Sequence, residues 1–152
     1  MSINIEINHQ LLINIDDKVY ISGQISTDMI EDLNKKCFGL IINNRPDNEE
    51  INQPKSFDIK VLLEEKNIVY KHIPFSGANI QLDQILNVAN LLKLEHKTLL
   101  FCRSGARSSL IWGLASIIYL NKDINDIMRK ISNAGYDSTI LPSMVEYFSN
   151  IK

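Results

Sequence analysis

Phe101-Cys102-Arg103-Ser104-Gly105-Ala106-Arg107-Ser108-Ser109 is the stretch that decides the fold. Thr98 to Cys102 reads as a buried strand, and Leu110 to Leu120 as a buried helix. A cysteine at the carboxyl end of a strand, then a glycine-bearing loop, then an arginine opening a helix, makes an anion cradle with a nucleophile at its base. Loop amides and a helix N-terminus converge on one point in such a turn. Those surroundings favour a thiolate. The pattern therefore sets a reactive Cys102 opposite an oxyanion.

Outward from that loop, strands and helices alternate. Ile3, Ile5 and Ile7, then Leu11, Ile13 and Ile15, then Val19 and Ile21 give three period-2 stretches, the mark of an N-terminal antiparallel ribbon. Ser26 or Thr27 caps a helix to about Lys36, with Met29, Leu33 and Cys37 on its inner face, so Cys37 is expected in the core. Gly39 to Asn44 has the continuous apolar centre of a strand covered on both faces. Arg45-Pro46-Asp47-Asn48-Glu49-Glu50 follows at its carboxyl end, where open α/β sheets bind ligands. A helix from about Ser56 to Lys66, a strand Ile68 to Ile73 and a loop Pro74 to Asn79 come next. Leu82 to Glu95 puts Leu82, Ile85, Leu86, Ala89 and Leu92 on one helical face. Asp123 and Gly135 bracket another helix, and Pro142 to Asn150 forms the last. The expected fold is α/β: a largely parallel central sheet with helices on both faces and an antiparallel N-terminal extension.

The 152 residues fit one domain, 1–152, with enough chain to bury a core without staples. Sixteen basic and eighteen acidic residues leave a net charge of -2 and no basic stripe, so no nucleic-acid partner is expected. Cys37 and Cys102 are the only cysteines and have no metal-ligand spacing, which excludes a disulfide scaffold and a zinc site and suits a reducing cytoplasm. The N-terminus has no basic segment followed by an apolar core, and is read as a strand and not as a signal peptide. The longest apolar run, Leu110 to Leu120, falls short of the roughly 20 residues of a membrane span, so no membrane partner is expected. Neither GxGxxG nor GxxxxGK occurs, and no cofactor is implied.

Four separated segments carry a resemblance: Val19 to Gln24, Asn44 to Glu49, His72-Ile73-Pro74 and Phe101 to Ser108. In this order, over about residues 10 to 120, they resemble the DUF442 family, the phosphatase-like domain also found in beta-lactamase-hydrolase-like proteins. The cysteine loop alone would fit two superfamilies; the four together are specific. The resemblance implies a fold like that of protein-tyrosine and dual-specificity phosphatases, and an activity either phosphatase-like or of sulfur transfer beside persulfide-oxidising enzymes. The chain departs from the phosphatase pattern in three places. Four residues separate Cys102 from Arg107, the rhodanese length and one fewer than phosphatases use, and Phe101 stands where they usually have His. Dual-specificity enzymes also keep an acid shortly after an Ile-Pro like Ile73-Pro74, where this chain reads Phe75-Ser76-Gly77-Ala78-Asn79. General acid catalysis is worth about 10²- to 10⁴-fold, so its loss penalises phosphoester hydrolysis directly.

On that ground the sequence favours a thiol-dependent sulfurtransferase with a Cys102 persulfide, taking a small anionic sulfur donor and a thiol acceptor. The alternatives are a cysteine-dependent phosphatase, with a phosphate substrate and Asp83, Asp47, Glu49 or Glu50 folding over the site as the acid, and a non-catalytic module that binds an anion or a protein. Cys102 is the nucleophile and Arg107 the bidentate oxyanion ligand. Gly105 lets the backbone curl, Arg103, Ser104 and Ala106 contribute amides, and Ser108 is a candidate donor to the thiolate. Arg45 is expected to reach the substrate or to brace the cysteine loop through Asp47 or Glu49. His72 is read as a satisfied strand histidine and Trp112 as core.

Overall fold

The computed structural model describes residues 3–152; the part of the N-terminal strand reading that falls on Met1 and Ser2 lies outside them. Six strands form one mixed sheet in the order β1-β2-β3-β6-β4-β5. β1 (Ile5–Ile7), β2 (Gln10–Asp16) and β3 (Val19–Ser22) pair antiparallel, as the three alternating stretches require. β3, β6 (Thr98–Phe101), β4 (Leu40–Asn43) and β5 (Val69–His72) run parallel. Their last residues, Ser22, Phe101, Asn43 and His72, stand in register, so all four motif segments leave the sheet along one edge.

Side-chain alternation sends the strands into two cores. Ile21, Leu40, Ile42 and Leu100 face α3 (Leu82–Leu92), α4 (Ala106–Ile118), α5 (Ile124–Asn133) and α6 (Leu141–Ile151). Tyr20, Ile41, Leu99 and Phe101 face a 3₁₀ turn (Thr27–Met29), α1 (Ile30–Lys35) and α2 (Ser56–Glu65) on the other side. Each Leu, Ile or Phe so buried contributes about 1.5 to 3 kcal/mol. α4 is buried along most of its length, Trp112 included, because α3, α5 and α6 enclose it. Gly113 permits that approach: a Cβ there would lie 2.9 Å from Ile131 Cδ1. Among the described residues no helix is long and apolar enough to cross a membrane.

Two core assignments change. Cys37 is exposed and not buried, because the helix ends at Lys35 and the chain turns through a left-handed residue at Cys37, φ +66°. The Cys37 amide donates to the Asn34 carbonyl at 3.0 Å and the Phe38 amide to that of Leu33 at 3.2 Å, a Schellman ending. Phe38 takes the core position, edge-to-face with Tyr20. On α3, Leu86 is exposed and Val88 is buried beside Ile85 and Ala89, so the inner face lies one step round from the leucine-rich one. Asp123 and Gly135 bracket α5 as expected: Asp123 accepts from the Asp126 amide, and Gly135 has φ +94°.

Candidate active site

Cys102 is the first residue past β6 and is 1% exposed. Its Sγ accepts the Gly105 amide at 3.1 Å, which curls the loop into a cup around the sulfur. Gly105 does this at φ +102° as the N-cap of α4, a conformation that costs an L side chain dearly. The loop has close neighbours on two sides. A Cβ on Gly23 would lie 2.9 Å from the Arg103 carbonyl, and one on Gly105 2.1 Å from Tyr136 Oη. Tyr136 Oη donates to the Ser104 carbonyl at 3.1 Å. Burial, with the charge of Cys102 behind it, pushes the Tyr136 phenol up to about 12. Nothing in the sequence marked Tyr136, since an aromatic after a helix-ending glycine does not reveal which loop it will cover.

Arg107 is the second residue of α4. Its Nη1 and Nη2 donate to Glu49 Oε2 and Oε1 at 2.8 and 2.9 Å, and Nη1 also reaches the Phe75 carbonyl at 3.1 Å. The hydrogen bonds from Arg107 chiefly, then those from Arg45, hold Glu49 at about 2 against an ordinary 4.5, although burial opposes the shift. The Arg107 guanidinium is raised in turn by Glu49 and by Cys102, against its own desolvation. Arg107 is thus fixed in orientation by Glu49 and Phe75, and Cys102 is near enough to raise its guanidinium.

Arg45 lies beneath this pair with its side chain 3% exposed. Nε donates to Glu49 Oε1 at 2.8 Å, Nη1 to Gln24 Oε1 at 3.0 Å and Nη2 to Glu50 Oε1 at 2.9 Å. Glu50 also pairs with Arg103 Nε at 2.9 Å. Of the two routes expected for Arg45, the one through Glu49 is present and the one through Asp47 is not. Asp47 accepts the Ser56 amide at 2.9 Å and so anchors the start of α2. Ser108 is likewise corrected: its buried hydroxyl donates to Asn44 Oδ1 at 2.8 Å and not to the thiolate. Asn44 then donates to the Ile73 carbonyl at 3.0 Å, tying three of the four motif segments together. Ser104 Oγ accepts the Ala106 amide at 3.4 Å, and Arg103 gives its carbonyl to the Gln24 amide at 3.2 Å. His72 is satisfied, its Nε2 donating to the Arg45 carbonyl at 2.7 Å. Gln24 is a second residue that sequence reasoning missed, although it ends the first motif segment.

Among the described residues no group of His, Cys, Asp and Glu side chains is arranged to hold a metal. The chemistry available is that of a thiol, the amides of its loop and the opening turn of α4, and an oriented guanidinium.

Comparison with known proteins agrees with this architecture. The curated beta-lactamase hydrolase-like protein of Xylella fastidiosa strain Temecula1 is 29% identical over 108 residues, which are 70% of this chain and 25% of that protein. The chain therefore spans about a quarter of the length of the curated relatives it matches. A crystal structure of the Neisseria meningitidis Z2491 protein NMA1982, which carries a provisional phosphatase designation, superposes with a TM-score of 0.71 at 29% identity, covering 91% of this chain and 96% of that one. A cysteine-to-serine variant of Pseudomonas aeruginosa TpbA, solved with phosphotyrosine, shares the fold at a TM-score of 0.65 and 13% identity, over 99% of this chain and 94% of that one. Residues 12–118 match the family model described as the phosphatase-like domain of beta-lactamase hydrolase-like proteins, and the chain belongs to that family of phosphatase-like domains.

Proposed function

We propose that the chain is a cysteine-dependent phosphatase that hydrolyses phosphomonoesters. The observation that carries this reading is the site itself: Cys102 Sγ held by the Gly105 amide, with the Arg107 guanidinium oriented by Glu49 and Phe75 at the start of α4. The phosphatase designation of the Neisseria relative and the family description lend it support. In this reading the Cys102 thiolate attacks phosphorus, an S–P bond forms, and the P–O bond to the leaving group breaks, its electron pair departing with that oxygen. Water then attacks phosphorus, the S–P bond breaks, and inorganic phosphate leaves with the thiolate restored. Arg107 and the α4 amides stabilise the charge that builds on the equatorial oxygens.

The test is steady hydrolysis of an aryl phosphate, with an intact-mass gain of one phosphoryl group on quenching, both abolished by Cys102→Ser. Absence of turnover with well-folded protein overturns the reading. Thiosulfate in a parallel sample decides the sulfur-transfer expectation that the short loop raised. A stable gain of one sulfur atom on Cys102, passed on to a thiol and without phosphate turnover, would replace the phosphatase.

A further inference from the structure

The three arms of Arg45 each lead, through one further residue, to the cysteine loop or to its cation. Through Nε it holds Glu49, whose two carboxylate oxygens hold both terminal nitrogens of Arg107. Through Nη2 it shares Glu50 Oε1 with Arg103 Nε, the side chain that follows the nucleophile. Through Nη1 it fixes Gln24, whose backbone amide donates to the Arg103 carbonyl at 3.2 Å. Arg45 itself is immobilised. Its amide donates to Asn43 Oδ1 at 2.8 Å, its carbonyl accepts from His72, and its guanidinium is shut off from water.

Charge leads to the same residue. Arg45, Arg103 and Arg107 pair with Glu49 and Glu50, and the third positive charge is left to balance the Cys102 thiolate, whose charge also acts on Arg107. Without Arg45 the two carboxylates would cancel the other two cations, and Glu49 would keep Arg107 alone as its partner. A buried guanidinium with three ideal acceptors and no route to solvent is expensive to keep. Its payoff is the fixed geometry of groups that must meet an oxyanion within a fraction of an ångström.

We propose that Arg45 is the positioning residue of this site: it sets the Arg107 guanidinium and the Arg103 segment around Cys102 so that the cradle accepts a tetrahedral oxyanion. The inference rests on reading Cys102 and Arg107 as the anion-binding pair of the proposed phosphatase. It is tested by anion binding and not by turnover, so the two readings fail separately.

The probe is inorganic phosphate, and the readout is its protection of Cys102 from alkylation by iodoacetamide. The exposed Cys37 also alkylates, so every variant carries Cys37→Ser. Arg45→Lys keeps the charge but cannot span three acceptors. It is expected to weaken phosphate protection by about 10- to 100-fold, the usual consequence of a misplaced binding group. In an Arg107→Lys background the same change is expected to cost less than it does alone, because one of its three arms acts through Arg107. Protection by phosphate unchanged in Arg45→Lys, losses that multiply in the double variant, or no protection in the parent protein would each overturn the proposal. If Arg45→Lys does not fold by circular dichroism, Gln24→Ala with Glu50→Gln cuts two arms at less buried residues. A loss of protection of about threefold or more supports the assignment there, and an unchanged value overturns it. Phosphate protection without aryl-phosphate turnover would refute the phosphatase and leave the role of Arg45 standing.

Discussion

Replacing Gly105 by alanine probes the loop at its tightest point. An alanine must hold φ near +102°, a strained conformation that costs about 1 to 3 kcal/mol. Its Cβ would also lie 2.1 Å from Tyr136 Oη, 2.7 Å from Tyr136 Cζ and 3.0 Å from Ile21 Cγ2. The tyrosine ring must turn away, which forfeits its bond to the Ser104 carbonyl, worth about 0.5 to 1.5 kcal/mol. Together these give a loss of about 2 to 4 kcal/mol, or roughly 5 to 15 °C in Tm for a chain of this size. Urea unfolding followed by circular dichroism measures it. With Tyr136→Ala as the background the collision is gone and the backbone strain remains, so the cycle should show about 1 kcal/mol of coupling. A Gly105→Ala protein within about 0.5 kcal/mol of wild type, or penalties that add to within that margin, would refute the account of the loop.

Glu49 makes stability depend on pH. Its folded-state value, about 2, lies below the ordinary 4.5, so its contribution is fully present above pH 4.5 and is lost as pH falls from there toward 2. The drop corresponds to at most about 3 kcal/mol, and to about 1 to 2 once screening on the solvent-facing side of the site is allowed for. Glu49→Gln should flatten the curve of urea midpoint against pH between 2 and 5; an unchanged curve would detach Glu49 from Arg107. Ser108→Ala should destabilise the fold by about 1 to 3 kcal/mol, since it strands the buried Asn44 Oδ1, and should leave Cys102 alkylation unchanged. Slowed alkylation with unaltered stability would return the hydroxyl to the thiolate.

The parallel sheet, its antiparallel extension and the placing of the cysteine loop and of Arg45 to Glu50 at strand carboxyl ends were legible because parallel βαβ units leave every strand's carboxyl end on one edge of the sheet. Nothing finer than an edge was legible. Asp47 and Glu49 are two residues apart in one turn, and only the turn's geometry decides that Asp47 anchors α2 while Glu49 reaches Arg107. Cys37 followed the helical period of Met29 and Leu33, but a left-handed ending two residues on from Lys35 breaks that period and installs Phe38 instead. Ser108 illustrates a different limit. A hydroxyl in the first turn of a helix has several acceptors in reach, and Asn44, which lies 64 positions away in sequence, supplied the one it uses.

The carboxylate that sequence reasoning looked for is present, and its protonation state changes what it means. Glu49 stands at the cysteine loop, yet two guanidiniums hold it near 2, so at neutral pH it is ionised. It serves Arg107 as an anion and has no proton to give a leaving group. Asp47 is committed to the Ser56 amide, and Tyr136, raised to about 12, donates its hydrogen bond to the Ser104 carbonyl. The missing acid after Ile73-Pro74, which the sequence reading counted against phosphoester hydrolysis, bears on the bond that breaks. Within the proposed phosphatase reaction, with no proton from Glu49, Asp47 or Tyr136, the leaving oxygen carries its own charge away, which a phenol does readily and an aliphatic alcohol does not. The burden shifts from the enzyme's acid to the substrate's acidity, while Cys102, Arg107 and the groups that orient them remain responsible for the phosphoryl group itself.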